Sequence, residues 1–279
     1  MTSPDDAVLR DNGLGWYLYG VVAADDGSPL LDAHGLAVDS THDAELVVEG
    51  PLAGVASRVS LDEFGETVLP ERLGDAAWLE QKIRAHEQVL ERVLSGRSVV
   101  PCRFCTVYRS EQELRRFLAQ RKDALGAALV RVQGQVEVGV KAFVDRERFV
   151  ASRARRDDKL RELRQQVASA EGGRAYLERR RLDQLVSSEI ERFGSSASED
   201  IHSRLLASAD DGLTLPLQAP EVSGRDEAMI FHGAYLVGDR SSFEVALGSL
   251  AEGYRDAGLD FELTGPWPPY NFVPAELRA

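Results

Sequence analysis

The stretch "VQGQVEVGVKAFV" (132–144) divides the chain. "VQGQ" (132–135) is polar turn chemistry around a glycine. From Val136 to Val144 apolar and polar side chains alternate, the period of a strand. A long region of helical periodicity follows, interrupted at Gly172-Gly173. Then come "LTLPLQ" (213–218), "AMIFHGAYLVG" (228–238), a helix over 241–257 and the strand "LDFELTG" (259–265). That order, βαββαβ, is the ferredoxin-like arrangement, with residues 146–209 as a helical extension. Within the extension Leu182, Val186, Ile190, Phe193, Ala197, Ile201 and Leu205 recur every three or four residues. This apolar seam predicts a helical hairpin, or a groove for a partner helix.

Upstream, "GWYLYGVVA" (15–23) is β-branched and aromatic and predicts a buried strand, followed by a turn at "ADDGSP" (24–29). Residues 34–59 read as short strands broken at Gly50-Pro51, and 61–75 as a loop. A helix is expected over 75–95, capped by Asp75 and ended by Gly96, with Trp78, Leu79, Ile83, His86 and Leu90 on its apolar face. "SVVPCRFCTVY" (98–108) reads as one strand. Ser110 and Glu113 form a capping box that opens a helix to about Leu129. The fold class is therefore α+β in two domains, 1–132 and 133–264, with a tail over 265–279.

The 279 residues carry a net charge of −13, a field that opposes nucleic acid and anionic lipid. The charge is uneven. Residues 1–50 hold ten acids and one Arg, whereas 146–181 hold twelve Arg and Lys against six acids. Interleaved as in "RRDDKLRELRQQ", those charges read as a solvated helix face. No apolar run is long enough to span a membrane. The start "MTSPDDAVLRDNG" lacks the features of a signal peptide, so a cytoplasmic protein is expected.

Both cysteines lie in "CRFC", Cys102 and Cys105. A redox pair places its first Cys at a helix N-terminus, where the thiol pKa falls; here the helix begins only after Ser110. Three residues apart on a strand, the two side chains would face opposite sides. A zinc site needs three or four ligands, and the histidines His34, His42, His86, His202 and His232 are scattered. The cysteines are thus expected to be small buried hydrophobes, and His86 a hydrogen-bonded core residue. "HGAYLVG" (232–238) loosely matches the aromatic strand of RNA-recognition domains, with Tyr235 and Phe231 as stacking residues. Core packing is the better explanation of it. Neither catalytic nor metal-ligating residues are expected, and no cofactor.

Three stretches together resemble one family. "GWYLYGVV" opens the N-terminal domain, "HEQVLERVLSGRSVVPCRFCTVYRSEQELRRFL" (86–118) is similar to a helix–strand–helix core, and "LTGPWPPYNFV" (263–273) to a C-terminal signature. The family is the gas vesicle GvpF/GvpL proteins. His86, Pro101, Arg103, Phe104 and Thr106 match its motif as structural residues. Cys102 stands where the family usually has a plain hydrophobe, and Cys105 where it usually has Gly. The resemblance implies a minor structural or assembly protein of gas vesicles that is not an enzyme. It implies contact with the small hydrophobic shell protein GvpA and other accessory proteins, toward the gas-facing side of this cytoplasmic organelle. An assembly chaperone that leaves the finished vesicle is the alternative; a C-x-x-C oxidoreductase and an RNA binder stand behind both.

The resemblance also implies a tail that joins the two domains. Pro266, Pro268, Pro269 and Pro274 fix φ and lack N–H donors. They predict an extended, polyproline-like strip that packs between the domains. Trp267, Pro268, Pro269, Tyr270 and Phe272 are its expected docking residues, with Trp267 and Phe272 mostly buried.

Overall fold

A computed structural model describes residues 13–24 and 35–278. From residue 25 the expected turn, and with it the N-terminal segment and His34, lie outside the described residues. The chain forms two compact units, one of residues up to Val136 together with those from Trp267 on, the other Glu137–Pro266.

The first unit is built on β1 (Leu14–Ala23), which pairs antiparallel with β3 (Leu52–Ser60); β2 (Glu45–Glu49) pairs on the far side of β3. On its other edge β1 meets β4 (Val100–Pro101) and β5 (Val107–Tyr108). β1 is buried on both faces, as its apolar run requires. Trp16, Leu18 and Val21 point into one core, Tyr17, Tyr19 and Val22 into the other. The parity changes because Tyr19 is an extra residue, a bulge between Leu18 and Gly20 in the register with β3. Gly20 is needed there: a Cβ would stand 2.9 Å from the Val100 carbonyl oxygen.

The segment read as a loop holds two short helical turns, α1 (Leu61–Phe64) and α2 (Leu69–Arg72). Then α3 (Ala76–Leu94) covers the Tyr17 face, capped by Asp75, whose carboxylate accepts from the Ala77 and Trp78 N–H groups. Its stripe is rotated from expectation. Ile83 is 40% exposed while Lys82 is buried; the helix ends with Ser95 as its C-cap and Gly96 just beyond it. Over the Trp16 face lie α4 (Glu111–Gln120) and α5 (Lys122–Arg131), two helices broken at Arg121 where one was expected. Ser110 caps α4, but Glu113 reaches back to the N–H of Arg109, one residue earlier than a capping box requires.

The second unit begins with β6 (Val136–Val144), at the expected bounds. Three helices follow, α6 (Arg146–Ala154), α7 (Asp158–Ser169) and α8 (Gly172–Leu206). The break falls at Ala170 and Glu171, just before the expected Gly172-Gly173. α7 packs along α8 as a hairpin, and the rest of α8 lies on the sheet. That sheet has the order β7-β8-β6-β9, formed with β7 (Asp211–Thr214), β8 (Ala228–Val237) and β9 (Leu259–Trp267). A short turn α9 (Pro220–Ser223) joins β7 to β8, and α10 (Arg240–Tyr254) joins β8 to β9. The fold is thus α+β. The seam is real from Val186 on: Val186, Ile190, Ala197, Ile201 and Leu205 are buried, while Leu182 and Phe193 are half-buried. Among the described residues no helix is long and apolar enough to cross a membrane.

Two expectations about the chain path are corrected. Residues 98–108 are not one strand, because β4 and β5 are separated by a turn. Nor is the tail an extended strip. β9 runs on to Trp267 at the sheet edge, where Pro266 needs no ladder partner, and Tyr270–Phe272 and Ala275–Leu277 are 3₁₀ turns.

Ile201 is fully buried and Val245 is 71% exposed. Ile201→Asp should therefore cost several kcal/mol, and Val245→Asp should stay within about 0.5 kcal/mol of the parent. Urea denaturation followed by circular dichroism tests both.

Candidate functional site

The two halves of the interrupted strand still follow β1. The Cys102 N–H donates to the Tyr19 carbonyl (2.8 Å) and the Leu18 N–H to the Thr106 carbonyl (2.9 Å). Between them the chain leaves the sheet as a tight turn, closed by the Thr106 N–H on the Arg103 carbonyl (3.2 Å) and by the Thr106 hydroxyl on the same oxygen (2.9 Å). Cys105 occupies its third position with φ +64°, the left-handed region a type II turn demands there. Glycine takes that conformation without strain; a Cβ makes it cost about 1–2 kcal/mol. The bare-backbone role that a cysteine at this position put in doubt is therefore the role the position has.

The turn aims Phe104 at a group of rings, Tyr17, Trp78 and His86, at centroid distances of 6.4, 6.3 and 5.9 Å. Inside this group runs a chain of hydrogen bonds. The Cys105 N–H donates to the Tyr17 hydroxyl (2.9 Å), which lies 2.9 Å from His86 Nδ1. On the other side of the imidazole, Nε2 lies 3.0 Å from the Tyr270 hydroxyl, which donates to Glu87 Oε1 (3.3 Å). One set of proton positions satisfies every link: Tyr17 donates to Nδ1, and Nε2–H donates to Tyr270. This requires neutral His86. Burial enforces it, depressing the imidazole pKa from 6.5 to about 4, although the nearby Cys102 carbonyl favours the charged form. Burial also raises the Tyr17 phenol and the Glu87 carboxyl.

A second polar arm lies beside the first. The Tyr19 hydroxyl accepts from the Val38 N–H (2.9 Å) and meets Ser57 Oγ at 2.8 Å. Lys82 Nζ donates to the Val38 carbonyl (2.7 Å) and pairs with Glu63 (3.0 Å), whose carboxylate also accepts from Trp78 Nε1 (2.6 Å). The sequence reading missed Lys82 and Glu63. The signal was present: Lys82 falls midway between Trp78 and His86 at helical spacing, a cation on an apolar stripe.

The tail closes over this region. Tyr270 supplies the far end of the chain of bonds, and Pro268, Pro269 and Phe272 are buried. Val273 and Leu277 pack in the Trp16 core. Arg103 binds the tail backbone, its N–H on the Arg278 carbonyl (2.7 Å) and its guanidinium on the Ala275 carbonyl (3.5 Å). Pro101 pairs with Gly20 in β4. Trp267 departs from expectation. It ends β9 and is 38% exposed, so it is not a buried anchor.

The two thiols belong to different cores. Cys102 packs in the Trp16 core and Cys105 against the Tyr17 core, on opposite faces of the sheet. The separation comes from the turn and not from strand alternation. Burial raises both thiols, Cys105 to about 12, the reverse of what a reactive cysteine needs. Tyr235 and Phe231 are also buried, Tyr235 against His202 and Phe243 rather than free to stack on a base. Among the described residues no group of three metal-ligating side chains comes together.

The family model described as "Gas vesicle synthesis protein GvpL/GvpF" matches residues 15–274. The chain is 31% identical over 258 residues to gas vesicle protein L of a Streptomyces species, covering 92% of each chain. It is 26% identical to gas vesicle protein F of Haloferax mediterranei, covering 94% of this chain and 95% of that one. In fold it is similar to the crystal structure of the gas vesicle protein GvpF from Anabaena, with TM-score 0.63, 21% identity and 94% and 96% coverage. A GvpF structure from Microcystis aeruginosa gives TM-score 0.60 at 18% identity, covering 93% of this chain and 99% of that one.

Two outcomes are expected. Cys105→Gly should leave stability unchanged or raise it by up to about 1 kcal/mol, and Cys105→Val should lower it; denaturant midpoints decide. The second concerns pH. His86 binds its proton more weakly in the folded chain, so between pH 6.5 and about 4 the unfolded chain holds more protons. Stability should be full above pH 6.5 and fall as pH drops toward 4, by up to about 3 kcal/mol. His86→Gln should be less stable at pH 7 and lack that part of the pH dependence.

Proposed function

The chain belongs to the gas vesicle synthesis protein GvpL/GvpF family, and from that premise we propose that it is a non-enzymatic, minor structural and assembly protein of gas vesicles. The observation that carries this reading is the family match over residues 15–274, which takes in both units and the tail's aromatic motif. Its direct partner is the small hydrophobic shell protein GvpA, alongside other gas vesicle proteins. Its place is the vesicle itself, within the cytoplasm and toward the gas-facing side. The site supports a structural reading in one respect: Arg103, Phe104, His86 and Tyr270 use their polar atoms and rings to hold chain segments together.

The second unit is assigned to the ferredoxin-like βαββαβ class. Its element order and the strand order β7-β8-β6-β9 support that. The domain-joining role of the tail belongs to the same proposal. Trp267 is where the chain leaves the second unit, and the residues after it pack in the first.

Tagged full-length chain, co-produced with the shell protein and the other vesicle proteins, should capture the shell protein and float with washed vesicles. Capture without flotation would make it a chaperone that departs. Failure of both would remove the proposed function.

A further inference from the structure

The second unit is electrically lopsided. Residues 146–181 carry twelve cations against six acids, whereas 182–266 carry sixteen acids against five Arg. The cations concentrate on the α7–α8 hairpin and the end of α6. Arg155, Arg156, Lys159 and Arg164 are exposed, and among the described residues their side chains have no ion-pair partner. At the start of α8 the hairpin carries Tyr176 and Leu177, 65% and 56% exposed. Unpaired Arg174, Arg179 and Arg180 stand around them. An aromatic and an aliphatic side chain set in a ring of cations form a knob with an apolar centre.

The matching hollow lies on the same unit. A groove of about 530 Å³ runs between α8 and the β7–β8 side of the sheet. Its floor is Ile190, Leu215, Met229 and Ile230; Ser195 and Ser198 on α8 leave it open. At its edge stands Glu191, exposed and without an ion-pair partner among the described residues. Knob and groove are complementary in both polarity and charge. They cannot meet within one molecule. Tyr176 and Ile190 lie fourteen residues apart on one continuous helix, which holds them about 21 Å apart.

We propose that the Tyr176–Leu177 knob of one copy docks in the α8–β8 groove of a second copy of this chain. The contact is heterologous, head to tail, so a pair keeps one free knob and one free groove, and copies add in rows. The area is small, so the association is weak and driven in part by charge, and salt weakens it. It needs no shell protein, and its test is therefore separate from that of the proposed function.

Sedimentation velocity of the purified full-length chain over a concentration series decides it. The average mass should rise with concentration at low salt and return to the monomer at high salt. Tyr176→Asp spoils the knob and Ser195→Trp fills the groove. Both positions are exposed, so each variant should melt as the parent does and remain monomeric. Mixed, the two should form a dimer and nothing larger, through the intact groove of the first and the intact knob of the second. A parent chain that stays monomeric throughout, variants that associate like the parent, or a mixture that stays monomeric would each overturn the proposal.

Discussion

The hydrogen bonds on either side of His86, to Tyr17 and to Tyr270, join segments far apart in sequence. Tyr17 comes from the central strand, His86 from the helix that covers it, and Tyr270 from the tail. The turn at 103–106 is fastened to the same point through the Cys105 N–H. All four depend on a neutral imidazole able to donate on one side and accept on the other. Buried polar groups are tolerated only when paired, so removing one member leaves its neighbours unsatisfied. Strand alternation puts Tyr17 and Tyr19 on this face, and the bulge at Tyr19 changes the parity for Val21 and Val22.

This arrangement explains why two motifs that look unrelated in sequence belong together. "PCRFCT" forms the turn and "PWPPYNF" the tail, and they face each other across His86. Arg103 fixes the tail's end through two of its carbonyls while Phe104 packs on the imidazole. A contact between the first half of the chain and its last residues closes the first unit around a segment that follows the second unit in sequence.

Much of the fold was legible. The strand at 136–144 and the Asp75 cap follow from periodicity and from capping chemistry that the surrounding structure does not override. The turn at 103–106 was not, because its usual marker is Gly and this chain has Cys105. A continuous β-favouring run around it reads as one strand. Glu63 and Lys82 were hidden for a related reason: a charged residue predicts exposure unless its partners are known, and they come from a separate segment. The tail was expected as an extended strip, and its local form is different. Proline content excludes helix and central strand, yet 3₁₀ turns and an edge strand satisfy the same restraints. Trp267 is exposed because it closes an edge strand.

His86 couples the tail to the core of the first unit. A double-mutant cycle with His86→Phe and Tyr270→Phe, read by urea denaturation at pH 7, tests it most directly. A coupling energy of about 1 kcal/mol or more between the two positions is expected. Effects that simply add, within about 0.5 kcal/mol, would contradict it.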